Sequence, residues 1–393
     1  MPTNNYQAAI DANDVQMSYG KESSWGVKPT TQFRDIRFDK EGFAGSKSRK
    51  RPDEIDPSRQ ASAAITTKFE TQGSLDFSVS AGTHNELLAA SIGGEFSAAI
   101  TLVGEATISA TVDGFTDSMS QFVSAGIQIG QIIKVEGFTN TAIDGFYRID
   151  TINAGSVTTT PAPPATEVEG AAVTIKGSMC RNGGSFDSFF FQKRLAADKY
   201  LLYPGSWPNS GQMDVAVDDY FKGQLSFLCK SQDKATADQS TGAHLPAPTG
   251  KVIDSVNGIP GIYRDGSVID AIVQKFGVKW SKDGAAAQYG IGSMDAQGMR
   301  LGKLSVTGSM SSYFKDFTLY DEFINEVSSP IWIPFLDAEG KGYCVTICNG
   351  TIMNPKIVAG GSGSDVMAEF DIEGNPDESG MYGGKTVQID YFG

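Results

Sequence analysis

Apolar and polar residues alternate one for one along stretch after stretch of this chain, and that period of two most limits its fold. In SLDFSV, Leu75, Phe77 and Val79 alternate with Ser74, Asp76 and Ser78. In QMDVAVDDYF, Met213, Val215 and Val217 alternate with Asp214, Ala216 and Asp218. QLSFLC places Leu225, Phe227 and Cys229 on one side. VMAEFDIEG sets Val366, Ala368, Phe370 and Ile372 against Met367, Glu369, Asp371 and Glu373. TVQIDYF, near the end, aligns Val387, Ile389 and Tyr391. Successive side chains of a strand point to opposite faces, so this pattern predicts antiparallel strands with one face buried and one wetted. Gly, Asn and Asp cluster between the runs, which is turn chemistry.

Helical signals are few. THNELLAASIGG offers Thr83 as N-cap with Glu86 three residues on, and Gly93 and Gly94 as a stop. TLYDEFINEV spaces Leu319, Phe323 and Val327 as a helix would. SVIDAIVQKFG suits a strand or a helix. The expectation is a mostly β, antiparallel chain with one or two short helices.

The chain also looks interrupted. Residues 97–176 hold only Lys134, Arg148 and Lys176 as basic residues, and short strand-like runs there end in Gly or Asn turns. This reads as a small all-β domain inserted into a surface loop, where extra length costs little closure entropy. A faint echo links GSLDFSVS…HNELLAASI to GKLSVTGSM…YDEFINEV, each a strand followed by a short helix. The predicted organisation is a first half over 1–96 resuming at 177–235, a linker at 236–250, and a similar second half over 251–393. Residues 33–60 show no clear period and carry Arg34, Arg37, Lys40, Lys47, Arg49, Lys50, Arg51 and Arg59 among acids. That segment reads as an arm folding on a neighbour, a solvated loop, or, from SKSRKRP alone, a nucleic-acid contact offset by DEID.

Composition excludes several functions. Across 393 residues, 32 Lys+Arg against 46 Asp+Glu give 32 − 46 = −14, a poor balance for tight binding to a polyanion. No apolar run approaches the ~18 residues of a membrane span, and the first residues lack the charged and apolar regions of a secretory signal. Cys180, Cys229, Cys344 and Cys348 are too few for a disulfide framework and read as reduced, buried thiols. His84 and His244 are the only imidazoles, and neither sits in a nucleophile elbow or a zinc motif. GGKTV at 383–387 lacks the first glycine of a phosphate loop, and GIGSMDAQG fails the dinucleotide pattern. Glu369, Asp371 and Glu373 share one strand face about 7 Å apart, near the spacing of glycosidase carboxylates, but nothing nearby would separate their pKa values. No catalytic, cofactor or metal site is expected.

Four stretches together resemble the tail tube (major tail) proteins of long-tailed bacteriophages: YGKESSWGVKP (19–29), GSLDFSVSAGTHNELLAASIGGEF (73–96), AGIQIGQIIKVEGFTNTAIDGFYRIDTI (125–152) and GSMSSYFKDFTLYDEFINEV (308–327). The resemblance implies a tube-type β-barrel or sandwich of two similar halves. It implies self-assembly into rings, usually hexameric, stacked into a hollow tail tube made in the host bacterial cytoplasm. It implies dsDNA in the lumen, a terminator at the head-proximal end, a tip or baseplate protein at the other, and a tape-measure protein inside. A lumen-facing acidic stripe of Glu369, Asp371, Glu373, Asp214 and Asp218 would repel phosphate and let DNA slide. The alternative is a carbohydrate-binding or adhesive β-sandwich using Phe115, Phe122, Phe138, Phe146 and Tyr147 as an aromatic platform.

Overall fold

The computed structural model describes residues 10–256 and 258–393. Nearly half of the chain is strand, and two short α-helices interrupt it. The first part supplies β1 (Gln16–Lys21), β2 (Arg34–Asp35), β3 (Lys40–Glu41), β4 (Ala44–Lys50), β5 (Ile65–Ser78) and helix α1 (Asn85–Ile92). Then come β6 (Leu102–Glu105), β7 (Ile108–Ala110), β8 (Gly114–Asp117), β9 (Ile132–Glu136), β10 (Gly145–Asn153), β11 (Ser156–Thr160) and β12 (Val173–Lys176). The chain continues through β13 (Ser178–Arg181), β14 (Phe189–Ala196), β15 (Lys199–Ala216), β16 (Lys222–Cys229), β17 (Asp233–Ala235), β18 (Tyr263–Arg264), β19 (Ser267–Val268) and β20 (Val273–Asp283). It ends with β21 (Ala286–Gln288), β22 (Gly298–Arg300), β23 (Lys303–Tyr313), helix α2 (Thr318–Ile324), β24 (Ser328–Leu336), β25 (Gly342–Ala359), β26 (Val366–Asn375) and β27 (Val387–Phe392).

Strands β6 to β12 form a seven-stranded sheet of their own. Its core holds Ile108, Phe115, Phe122, Ile133, Val135 and Tyr147. Phe115, Phe122, Phe138 and Tyr147 are buried in this interior and Phe146 is buried where the unit docks, so they form no exposed platform. The unit is docked: Ile132 and Phe146 pack on Trp332, Cys344 and Phe392. Lys134 Nζ donates to the Gly340 carbonyl at 2.8 Å, and Gln388 Nε2 to the Gly130 carbonyl at 2.9 Å.

β21 and β22 pair only with each other, and the other ladders link eighteen strands around one apolar cluster that runs from Leu75, Phe77 and Leu225 to Met310, Phe370 and Ile372. The alternation explains this directly. β16 opens on an exposed residue and then alternates buried with intermediate positions, and Ala368, Phe370 and Ile372 of β26 are buried between exposed carboxylates. SVIDAIVQKFG contributes to β19 and β20 and is not helical.

Several sequence expectations are corrected. β15 ends at Ala216 as the chain turns toward β16, so Val217 is exposed and Asp218 adopts a left-handed φ of 61° in the turn. Helix α1 is capped at His84, because the Thr83 hydroxyl is paired with Ser80 at 2.7 Å and Glu86 accepts from the Tyr19 hydroxyl at 2.9 Å. Gly93 does end that helix, at φ 69°, where a side chain would strain. Val327 lies beyond the end of α2. β27 is buried on both faces, Gln388 and Asp390 included. Residues 33–60 are irregular only in part: residues 51–60 are exposed and carry no strand, but β3 and β4 run in succession along β5, with Lys40 opposite Asp76, Glu41 opposite Leu75 and Ala44 opposite Gln72. The period was invisible because β4 is wetted on both faces. All four cysteines are free and buried.

Candidate functional site: a polar sheet face and its open edges

One path through the ladders crosses the whole molecule in the order β4-β5-β16-β15-β20-β23-β26-β25. Its apolar face is the core. Its other face is polar, and cross-strand register arranges it in rows. One row is Ser74, Ser226, Ser210, Ser281 and Ser305. The next is Asp76, Gln224, Gln212, Lys279, Thr307, Glu373 and Thr351. A third runs Ser78, Lys222, Asp214, Gly277, Ser309, Asp371 and Met353. A fourth joins Ala216, Lys275, Ser311, Glu369 and Lys356. The face is hollowed: Gln212, Asp214, Lys279, Ser309, Asp371 and Glu373 line one shallow groove.

The predicted acidic residues therefore divide. Asp214, Asp371 and Glu373 meet in that groove, and Glu369 lies next to them on the same face of β26. Asp218 lies off the strand, in its turn. The stripe is also not purely acidic. Glu369 pairs with Lys356 at 3.2 Å, and Asp371 accepts from Asn354 at 3.0 Å. Burial raises the pKa of Asp214, and Lys275 and Lys279 pull it back down. Those two lysines were missed because β20 was ambiguous in sequence; once that segment is a strand, Lys275, Gly277 and Lys279 fall on the polar face by period alone.

The two histidines have structural roles. His84 stacks on Phe77 at 3.8 Å and its Nε2 lies 3.0 Å from the Arg37 carbonyl. Burial pushes its pKa down to about 4. His244 sits between Asp35 at 2.6 Å and Asp238 at 2.9 Å, holding the 236–250 segment against β2. Burial acts against its protonation, but the hydrogen bonds to both carboxylates raise its pKa. Among the described residues no cluster of His, Cys, Asp or Glu could hold a metal ion, and no helix is long and apolar enough to cross a membrane.

The polar path ends in unpaired strand borders. Among the described residues, β4 pairs with β5 on one side only. β25 pairs on one side with β24 up to Thr351 and on the other with β27 up to Ile347 and then with β26, whose ladder shifts register between Met353 and Lys356, so residues 352–359 keep only β26 as a ladder partner among the described strands. Unpaired borders are templates for another chain. A twisted antiparallel sandwich with a packed face, a free polar face and open borders defines a structural protein built for association. A family model described as phage tail tube protein matches residues 12–374, and the chain belongs to that family. It is a structural component of the virion tail and not an enzyme. No curated protein matches it.

Proposed function

We propose that copies of this chain close into rings that stack as the hollow tail tube, with the polar face of the β4-to-β25 sheet lining the lumen. The observation that carries this reading is the pairing of a continuous free polar face with open borders at both of its ends. Head-to-tail contacts that close by rotation make rings, and stacking extends them. Double-stranded DNA passes over the wall on ejection. Affinity for DNA comes from neutralising phosphates with Lys and Arg. Here Lys275, Lys279 and Lys356 alternate with Glu369, Asp371, Glu373 and Asp214, and serines and threonines fill the remaining positions. Such a wall is wetted but does not grip. Asp218 contributes at the margin of that face. The terminator and the tip or baseplate protein cap the two ends, and the tape-measure protein occupies the lumen before ejection. Residues 97–176 are read as an inserted module peripheral to the wall.

Negative-stain microscopy of the purified protein at high concentration, and of the virion, tests this. Hollow tubes or short rings about 10 nm across are expected from ordinary strand and sheet spacings. A protein that stays monomeric and is absent from the tail contradicts it.

A further inference from the structure

Residues 97–176 interrupt the first half of the chain, yet they rest on the second. The chain runs from α1 into β6 and returns from β12 to β13. Between those points Ile132 of β9 and Phe146 of β10 pack on Trp332 of β24, Cys344 of β25 and Phe392 of β27. Lys134 Nζ donates to the Gly340 carbonyl in the β24–β25 turn at 2.8 Å, and Arg148 Nη1 lies 3.7 Å from Asp265 in the β18–β19 turn. Each of these cations also pairs with an acid of its own strand, Lys134 with Glu136 and Arg148 with Asp150. The insertion therefore clasps the second half through a dry patch and a set of polar contacts.

The polar contacts centre on β27. Arg181 of β13 donates from Nε to Gln388 Oε1 at 2.7 Å and from Nη2 to the Ile129 carbonyl at 2.6 Å. Gln388 Nε2 donates to the Gly130 carbonyl at 2.9 Å and to Asp390 Oδ2 at 2.7 Å. The Ile132 N–H faces the same carboxyl group, and Asp390 Oδ1 is left without a hydrogen-bond partner among the described residues. Asp390 is fully buried. The titratable groups that face it are Cys180 and Arg181 of β13, Cys344 and Cys348 of β25, and Tyr382 of the β26–β27 loop. Arg181 is the one cation among these, and its donors are committed to Gln388 and Ile129. An ionised carboxylate here would be an anion out of water with an oxygen unserved, whereas the protonated group is neutral. Burial accordingly pushes Asp390 well above the usual carboxylate range, against the pull of Gln388, Arg181 and the Ile132 N–H.

We propose that the inserted module is latched to the second half by the neutral, proton-bearing form of Asp390, and that loss of this proton lets Ile132 and Phe146 lift from Trp332, Cys344 and Phe392. The latch belongs to the single chain and does not rest on the tube reading. Undocked, the carboxyl meets water and titrates near its ordinary value of about 3.9. Docked, it keeps its proton to higher pH, so the docked state binds more protons between the two values. Its advantage is complete below the lower value and is lost progressively as pH rises to the upper one. Within that window the ratio of undocked to docked module rises about tenfold per pH unit. Buried His84 has the opposite sign, since its lowered pKa favours the native state as pH rises. His244 shares the sign of Asp390 but ties residues 236–250 to β2, not to the module.

Native thiols report the opening in the unmodified chain. Cys344 is fully buried in the patch that Ile132 and Phe146 cover, whereas Cys229 is fully buried in the main apolar cluster. The full chain is labelled with dithiodipyridine at about pH 5.5 and about pH 7.5, and each thiol is read by peptide mass mapping. Every rate is divided by that of an unstructured cysteine peptide at the same pH. The relative rate at Cys344 should rise about 100-fold over this range, with no matching rise at Cys229. Asp390→Asn keeps the shape of the side chain and cannot ionise, so its relative rate at Cys344 should be the same at both pH values. A flat Cys344 rate in the unmodified chain overturns the latch, whether or not Asp390→Asn folds. Equal rises at Cys344 and Cys229 show the whole subunit opening and also overturn it. A rise in Asp390→Asn as steep as in the unmodified chain assigns the proton to another group and overturns it too.

Discussion

Helices α1 and α2 occupy matching places in the two halves, yet α1 is largely buried, whereas α2 has no buried residue and only half-buries Leu319 and Phe323 against the core. Local sequence does not explain the contrast. TLYDEFINEV carries more large apolar residues than NELLAASIG. The difference lies in the neighbour packed over each helix. α1 is overlaid by β20 of the second half through Trp280 and Lys282, whereas the chain has no third half to lie over α2. The cover over α1 comes from the other half of the same chain and not from the helix's own sequence.

The contrast breaks most visibly at Trp280. It is fully buried, and Trp280→Ala should cost about 3–5 kcal/mol, the range for large aromatic truncations in a core, read as a lowered denaturant midpoint. Phe317→Ala, at the exposed N-cap of the matching helix, should change stability of the subunit by less than about 0.5 kcal/mol. Equal losses of stability in both variants would erase the distinction between the helices.

A pH titration sharpens it next. Buried His84, at the start of α1, has a native pKa of about 4 against 6.5 for an ordinary histidine. Between those values the unfolded chain binds the extra proton and the native one does not. The stabilisation is therefore present above pH 6.5 and is lost as pH falls toward 4, by about 3 kcal/mol for a shift of this size. His244 runs the other way: its raised pKa gives a contribution present below 6.5 and lost as pH rises through its native value. His84→Gln should flatten the acid limb of the stability profile between pH 6.5 and 4, checked by urea unfolding across that range.

Smaller effects fall on the termination of α1 and on its tether. Gly93→Ala places a Cβ 2.7 Å from the Gly183 carbonyl oxygen at a positive φ, so a loss of about 1–2 kcal/mol is expected. Tyr19→Phe removes the hydroxyl donated to Glu86 and should cost about 0.5–1.5 kcal/mol. Neither change touches α2, and both variants should still form rings under conditions where the subunit is folded.

Much of the architecture was legible because the period of two survives wherever one face is buried and the other wet. β5, β16 and β26 could be drawn from Leu75, Leu225 and Phe370 with their neighbours. The signal failed where that condition fails. β4 is wet on both faces and β27 is dry on both, so Lys47 and Gln388 carry no alternation to read. The polar stripe was legible in its carboxylates and illegible in Lys275 and Lys279, because the segment leading into β20 carries an apolar run that suits a helix equally well. Thr83 and Glu86 spelled a capping box, but a local partner at Ser80 and a distant one at Tyr19 took both groups. The open borders could not be seen at all: an unpaired edge is a property of the assembled sheet and leaves no mark in a local window of sequence.

A cross-section of the tail tube by electron cryomicroscopy, resolved to individual strands, tests the central claim most directly. The account predicts a closed wall of copies joined through their sheet borders, with the face that carries Asp214, Lys279, Asp371 and Glu373 turned to the lumen. A wall in which that face points outward, or in which copies touch without their strand borders meeting, would contradict it.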